Sequence, residues 1–515
     1  MARYKNYNLD QTKFIPIVFS EQIIPGTFEH TLSFLIDEHL DMTVFDARYK
    51  NDNVGSPAYD PALLLKIILA AYARGHTSSR QIERLCRENV VFMALSADSQ
   101  PHFTTIANFI TQMDDVIQTL FTDVLLVCSH QGLIGGEMFA IDGCKMPSNA
   151  SKEHSGTHAE FAKKQKKIDR AVRRLLAKHR EEDASGQDNN HTRREAEEKN
   201  IASLRKASRK IKQFCAATED RKGLKSKVVK SNITDNDSAK MLTSHGVIQG
   251  YNGIAAVDDK HQIIVGAQAF GQGPENNLLK PMVDTVANNL GEASIKDSKV
   301  TADSGFHCAD SVDYCFDQNL DAYIADGNFR KRDPRFIDRD RYQPKARKAR
   351  WFKAEDFSYD PDTQTCLCPA GNDMWSGGTR VINGNHYRSF TGYLDKCRHC
   401  PLLKQCMRKP IKEQGRQVSI KLTTNKKSGL TTIDKMKERI DSDEGRHCYS
   451  RRLGTVEPVF GNINTAKRLN RFSLRGKIKV NAQYPKHSLQ SRGRPWLMYY
   501  MMHNIEKIQR YGQMA

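Results

Sequence analysis

The chain has 515 residues, with 79 Lys and Arg against 60 Asp and Glu, a net charge of +19. At roughly 100–200 residues per domain, that length excludes a small stapled scaffold and leaves room for several domains around a large core. Hydrophobic residues at 39% and charged residues at 27% exclude a fibrous or wholly disordered chain, and the best apolar stretch, residues 63–71, is broken by Lys66 and too short for a membrane span. The opening MARYKNYNLDQTKF has no apolar secretory segment. The 12 cysteines are therefore expected in a reducing cytoplasm, where clustered thiols mean metal more often than disulfides.

Residues 1–130 carry 10 Lys and Arg against 15 acids and read as an N-terminal helical domain. Residues 27–40 have helical apolar spacing. Asp60-Pro61 opens an apolar helix to about Arg74, since Asp caps and Pro suits the first helical position. Gly75 stops it, and Thr77 or Ser78 caps the next helix, over 79–89. Two helices on a short Gly turn have the outline of a helix-turn-helix, a candidate DNA-binding element. A further helix is expected from Thr104 to His130.

From residue 131 the period changes. Residues 131–326 are balanced in charge, 29 against 28, and read as the first part of an α/β core. Residues 137–142 form a short apolar strand ending in Asp142. Residues 157–225 are highly charged and helix-favouring, with a polar break at Gly186, and read as a helical insertion. Its basic stretch 163–174 serves either as a coiled-coil arm or as a track for a DNA backbone. Residues 246–257 and 261–270 form a β-hairpin. A helix over 277–290, a strand over 298–302 ending at Asp303, a helix over 309–318 and a strand over 321–325 follow. Residues 327–443 form a basic, β-rich insertion domain containing cysteines, and residues 444–515 return to the core with a helix carrying Glu457 and an apolar helix from Trp496 to Ile508. Residues 327–515 hold 40 Lys and Arg against 17 acids. An excess that large on one stretch points to a polyanionic partner, nucleic acid.

An acid on a central strand, another on a later strand and a third on a following helix can converge. Three carboxylates around one point hold hard divalent cations such as Mg²⁺, which prefer oxygen ligands. Two such ions about 4 Å apart suit phosphodiester cleavage and strand transfer without a side-chain nucleophile. Asp142, Asp303 and Glu457 are the candidates, with Asp258, Asp310, Asp326 and Glu444 as rivals at this point. The insertion carries Cys366, Cys368, Cys397, Cys400 and Cys406. Structural zinc takes four ligands in a tetrahedron, and Cys368, Cys397, Cys400 and Cys406 are the expected set, with Cys366 the spare and His399 a substitute. Trp351 and Trp375 are candidates for stacking a flipped base, with core packing the competing role. No phosphate-cradling Gly motif, GxSxG or HExxH is present, so neither ATP dependence nor serine or zinc hydrolysis is indicated.

The chain resembles bacterial insertion-sequence DDE transposases, most of all the insertion sequence 1182 group, from about residue 15 to residue 510. The resemblance rests on Tyr59-Asp60-Pro61, on residues 75–80 (GHTSSR) and 101–109 (PHFTTIANF), and on Ile141-Asp142-Gly143 followed by residues 148–151 (SNAS). It continues through residues 232–235 (NITD), Gly250-Tyr251-Asn252, residues 302–306 (ADSGF) and residues 455–462 (TVEPVFGN). It implies an RNase H-like (retroviral integrase-like) catalytic core, with Asp142, Asp303 and Glu457 as catalytic residues holding two Mg²⁺ or Mn²⁺ ions. It also implies cleavage at transposon ends bearing terminal inverted repeats, joining to target DNA, and a homodimer on paired ends in the bacterial cytoplasm, at the nucleoid. Some relatives carry a Tyr, Arg, Glu, Lys signature on the third-acid helix. Tyr449, Arg452, Glu457 and Lys467 follow that order with longer gaps, which makes Arg452 and Lys467 candidate phosphate ligands. Arg468, Arg471 and Arg475, in a basic stretch reaching Lys479, are candidates for the DNA backbone. Two other readings are a related RNase H-like nuclease and a DNA-binding repressor or inactive relic of the element.

Overall fold

The computed structural model describes residues 16–49, 57–113, 116–185, 191–223, 226–336, 351–382, 385–411, 413–422, 430–472, 475–477, 480 and 496–513. The chain divides into two compact units, Met1–Gly327 with Met436–Ala515, and Asn328–Lys435. Among the described residues no helix is long and apolar enough to cross a membrane. Gly186 and Lys479 lie outside the described residues.

The first unit begins with helices α1 (Phe19–Gln22), α2 (Phe28–Glu38), α3 (Pro61–Ala73), α4 (Ser79–Glu88), α5 (Val90–Leu95), α6 (Phe103–Gln112) and α7 (Ile117–His130). Local chemistry sets their ends. The Ala62 amide donates to Asp60 Oδ1 at 2.7 Å, and Gly75 leaves the helical region at φ +74°. The single helix expected from Thr104 to His130 is two helices. The Val116 amide turns back to the Met113 carbonyl at 3.2 Å and interrupts the ladder. α3 is core, with Leu65, Ile67, Ile68 and Tyr72 fully buried. α4 buries only Ile82 and Cys86, and its cations are engaged locally: Arg87 with Glu83 at 2.9 Å, and Arg80 over the Phe103 ring at 4.4 Å. These helices pack on the Trp496–Tyr511 helix of the same unit, where Tyr72 stacks on Tyr499 at 5.2 Å.

The sheet of this unit comprises β1 (Met138–Pro147), β4 (Ala239–Thr243), β5 (Gly246–Asp258), β6 (Ile264–Phe270), β7 (Lys299–Ala302) and β8 (Asp321–Ile324). β5, β6 and β1 are antiparallel neighbours, with β5 between the other two, while β7 and β8 follow β1 in parallel. α10 (Leu279–Leu290) and α11 (Glu292–Lys296) join β6 to β7, and α12 (Ala309–Asp317) joins β7 to β8. The long hairpin α8 (His158–Ser185) and α9 (His191–Ala217) rises between β1 and β5, above a small ladder of β2 (Ser155–Gly156) and β3 (Ser231–Asn232). β1 runs beyond its expected stop at Asp142 because β5 continues opposite it, as far as the pair Pro147↔Gly250. Asp142 is thus a mid-strand residue. β4, which has no strong local signal in the sequence, pairs with the first half of β5.

Two helices close this unit. The Asp443–Gly461 helix packs on β1, β5, β7 and β8 and contains Pro458. Proline has no amide hydrogen, so the Gly454 carbonyl one turn earlier lacks its helical donor, and Gln262 Nε2 fills the vacancy at 3.0 Å. The β5–β6 turn is thereby tied to the helix carrying Glu457. The Trp496–Tyr511 helix lays the Trp496 ring on Gly253 of β5, where a Cβ would meet the ring at 2.4 Å. Asn504 of this helix accepts from the Ile264 amide and donates to the Ile264 carbonyl, both at 2.9 Å, on the free edge of β6.

The second unit is a five-stranded antiparallel sheet of β9 (Ser358–Asp360), β10 (Thr365–Leu367), β11 (Asp373–Ile382), β12 (Asn385–Gly392) and β13 (Gln417–Lys421), in the order β13-β12-β11-β10-β9. Phe357, Cys366, Met374, Phe390 and Val418 form its core. Trp351 and Trp375 are 38% and 47% exposed, whereas Trp496 of the first unit is fully buried.

Candidate active site

The register Ile141↔Ala302 between parallel strands β1 and β7, carried one residue on, brings Asp142 beside Asp303. Each carboxylate is oriented by a nearby backbone amide: Gly143 N to Asp142 Oδ1, and Gly305 N to Asp303 Oδ1, both 2.8 Å. Burial pushes the Asp142 carboxyl above its usual range, the Arg452 guanidinium opposes that, and the nearby charge of Asp303 adds to it.

Glu275 joins this pair, and sequence reasoning missed it. It lies between β6 and α10. A Cβ built on Gly305 would fall 2.1 Å from Glu275 Oε2 and 3.0 Å from Asp303 Oδ1, and one on Gly143 would fall 2.9 Å from Glu275 Oε1. The glycines following both aspartates therefore leave the space that the Glu275 carboxylate fills. Asn252 of β5 donates to Glu275 Oε1 at 2.9 Å. Asn252 is fully buried, and its own Oδ1 has no hydrogen-bond partner. Burial raises the Glu275 carboxyl, and the Asp303 and Asp142 charges push the same way against the Asn252 bond. The available signal was spacing: Gly143 and Gly305 each sit within two residues of a predicted acid.

Arg452 and Lys467, the candidate phosphate ligands, are both buried in ion pairs. Arg452 is 5% exposed, and its Nη1 lies 2.6 Å from Asp142 Oδ2 while its guanidinium covers the Tyr449 ring at 5.3 Å. It neutralises the first aspartate rather than facing solvent. Lys467 is 4% exposed and pairs with Glu506, with the Ala73 carbonyl 3.3 Å away, so it ties the end of the third-acid helix to the C-terminal helix and α3. Arg468, Arg471 and Arg475 are exposed. Arg471 Nε donates to the Ser148 carbonyl at 3.2 Å, and Arg475 Nε to the Asn149 carbonyl at 2.7 Å, holding the loop that follows β1.

Glu457 sits on the same helix as Arg452, is exposed, and among the described residues takes part in no ion pair. Helical geometry explains the separation: five residues turn about 140° around the axis, so Arg452 faces the sheet while Glu457 does not. Asp142, Asp303 and Glu457 are thus not drawn together, and among the described residues no group of three or more acid, Cys or His side chains stands ready to hold a metal ion.

Two stretches that carried the sequence resemblance are scaffolding for this site. Asn232 Oδ1 accepts from the amides of Thr234 and Asp235 at 2.9 and 3.1 Å, and Tyr251 Oη donates to Asp235 Oδ1 at 2.7 Å. In the second unit, Cys368, Cys397, Cys400 and Cys406 line one cavity with Phe352 and Tyr393. Burial raises the Cys406 thiol, and the neighbouring cysteines add to that effect. Cys366 is 1% exposed in the apolar core of the unit.

Comparison with known proteins gives two domain matches. Residues 18–112 match the family model described as Transposase domain (DUF772), and residues 367–508 match Transposase DDE domain. The second match includes Glu457 but stops short of Asp142 and Asp303. A cryo-EM structure of a piggyBac transposase synaptic complex with hairpin DNA aligns over 94% of this chain and 74% of that chain, at 10% identity and a TM-score of 0.29, too low for a shared fold to be read from it. No curated protein matches. The two domain matches, one near each end of the chain, support a DNA transposase.

Proposed function

We propose that this chain is a DDE transposase of the insertion sequence 1182 kind, cutting DNA at transposon ends and joining them to target DNA. The observation carrying this reading is the meeting of Asp142 in mid-β1, Asp303 just past the end of β7 and Glu275 between β6 and α10, with a helix bearing Glu457 laid across β1 and β7. The strand order supports an RNase H-like core: three antiparallel strands, then two parallel ones beside the first, with helices between.

The donors fit hard divalent cations, since every candidate ligand is a carboxylate and the buried Asn252 Oδ1 is unsatisfied. Asp142, Asp303 and Glu457 would hold Mg²⁺ or Mn²⁺, with Glu275 beside them. Two such ions, when bound, activate the attacking oxygen and stabilise the leaving one. The chain's own part is to orient Asp142 and Asp303 through the Gly143 and Gly305 amides, to release Arg452 from Asp142, and to turn Glu457 inward. A freed Arg452 could then meet a DNA phosphate, for which its planar fork is suited. The protein would act as a homodimer on paired ends bearing terminal inverted repeats.

A structural zinc on Cys368, Cys397, Cys400 and Cys406 accompanies this reading. Cβ atoms at Gly392 and Gly415 would lie 2.8 and 2.9 Å from Cys397 Sγ, and the Asn372 amide points at Cys368 Sγ at 3.4 Å. Amide-to-sulfur bonds of this kind stabilise thiolate ligands.

The test is cleavage of a labelled duplex bearing the element's end, with Mg²⁺ or Mn²⁺, by wild type and Asp303→Asn, followed by joining of a free 3′-OH end. Metal-dependent cutting and joining that disappear in the variant are expected. Cutting without joining would mean a nuclease, and tight binding without cutting would mean a repressor.

A further inference from the structure

The near-zero charge of residues 131–326 hides a strong separation in space. The α8–α9 hairpin has a fixed antiparallel register: Phe161 meets Phe214 at 5.7 Å, Ser208 Oγ donates to Asp169 Oδ1 at 2.7 Å, and His179 meets Glu197 at 2.8 Å. That register sets residues 163–174 against residues 201–217 in the inner half of the hairpin. The two stretches together contain twelve Lys and Arg and one acid, Asp169. All twelve are exposed, and among the described residues none is in an ion pair. The outer half is different. There Lys178 and Arg193 pair with Glu197 at 2.8 and 3.2 Å, and Arg194 pairs with Asp183 at 2.5 Å. Charges neutralise one another at the tip and stand unneutralised at the stem.

We propose that this stem is a binding surface for the backbone of double-stranded DNA, an assignment that rests on the transposase reading above. Twelve residues of helix span about 18 Å, the length of roughly five base-pair steps. The only aromatic rings in the hairpin besides histidines, Phe161 and Phe214, are packed against each other between the helices, which leaves none to stack single-stranded bases. Val172, Ile201 and Ile211 are also buried between the helices, so the rod presents no apolar face to a membrane. The hairpin springs from the end of β1, the strand carrying Asp142. Its foot is fixed by Ser155 Oγ to Gln249 Oε1 at 2.8 Å and by Lys230 to Glu160 at 3.0 Å. Duplex lying along the stem therefore approaches the carboxylates.

The experiment uses the full chain and fluorescence anisotropy with a labelled duplex of arbitrary sequence across a salt series. The stem variant combines Lys163→Gln, Lys166→Gln, Lys167→Gln, Arg170→Gln and Arg174→Gln. A second variant changes the three lysines to arginine, and a control carries Arg180→Gln at the tip. The slope of log K against log salt is expected to shrink by about 0.9 for each phosphate the variant no longer neutralises, and three such phosphates lower affinity by nearly three orders of magnitude, roughly 500-fold, at about 0.1 M salt. The arginine variant and the tip control should match wild type, and circular dichroism should show unchanged helix content in all. A stem variant that keeps wild-type slope and affinity overturns the assignment while leaving the transposase reading intact. A wild-type chain that binds no duplex overturns both.

Discussion

Replacing Arg452 with alanine tests the resting state of the site. Arg452 is 5% exposed, and the Asp142 side chain it neutralises is 19% exposed. Removing one partner of a buried pair costs about 3–5 kcal/mol, and the partial exposure of Asp142 favours the lower end, about 3 kcal/mol. The unit concerned has about 400 residues, and an unfolding entropy of about 2.1 cal/mol/K per residue turns that cost into a fall in Tm of about 4 °C. Two signatures distinguish this from a packing defect. Asp142 already titrates above its usual range because it is buried, and losing the guanidinium raises it further. The deficit is therefore full above the raised value and shrinks as pH falls through it, since a protonated Asp142 needs no cation. Added Mn²⁺ should restore more stability in the variant than in wild type, because Asp142 and Asp303 would then hold a cation whose charge offsets that of the lost guanidinium. Scanning calorimetry in EDTA and in Mn²⁺, at two pH values, measures both effects. A Tm within about 1 °C of wild type in EDTA, or a deficit that neither acid nor Mn²⁺ reduces, would refute the argument.

Other outcomes follow from the same geometry. Gly305→Ala places a methyl 2.1 Å from Glu275 Oε2 and should raise the Mn²⁺ concentration needed for cleavage by about 10–100-fold, whereas Gly454→Ala, whose Cβ meets nothing within 4 Å, should not; equal behaviour of the two would remove Glu275 from the site. His503 is buried with Nε2 at 3.0 Å from the Gln262 carbonyl, and burial holds its pKa down to about 3. Because the unfolded chain takes up that proton near pH 6.5, stability should fall by about 1.4 kcal/mol per pH unit below it, or about 2 kcal/mol by pH 5. Urea unfolding of His503→Gln should lack this component, and an unchanged pH dependence in the variant would disprove it. Metal analysis should find one zinc per chain, absent from Cys397→Ser and kept in Cys366→Ser; zinc retained in the first or absent from wild type would dismiss the four-thiol site.

The elements with strong local signals were legible in the sequence. The Asp60-Pro61 cap, the Gly75 stop, the α8–α9 insertion and the β5–β6 hairpin all stand within a few residues of where their chemistry puts them. What was missed depends on distant partners. β1 is long only because β5 lies opposite, and β4 exists only because β5 offers an edge. Glu275 carries no local motif, and its place becomes visible once two strands bring Gly143 and Gly305 together. Arg452 and Lys467 show the converse. Their order along the chain suggested phosphate ligands, but their faces of the helix and its extension are buried against Asp142 and Glu506. The basic stretch 163–174 was legible on its own, whereas its alignment with residues 201–217 depends on the register that Phe161, Asp169 and His179 set across the hairpin.

Asn504 answers the Ile264 amide and carbonyl with a side chain that imitates one more strand. β6 therefore keeps an open edge until translation has passed residue 504. A nascent or truncated chain would display the stretch IVGAQAF as a template for pairing with its neighbours. The helix that brings Glu457 is also made late, only after the second unit has been synthesised. Docking of the Glu457 helix and protection from aggregation thus arrive within the same last stretch of synthesis. Fragments left by premature stops would lack both and be cleared as insoluble material rather than persist as partly folded chains.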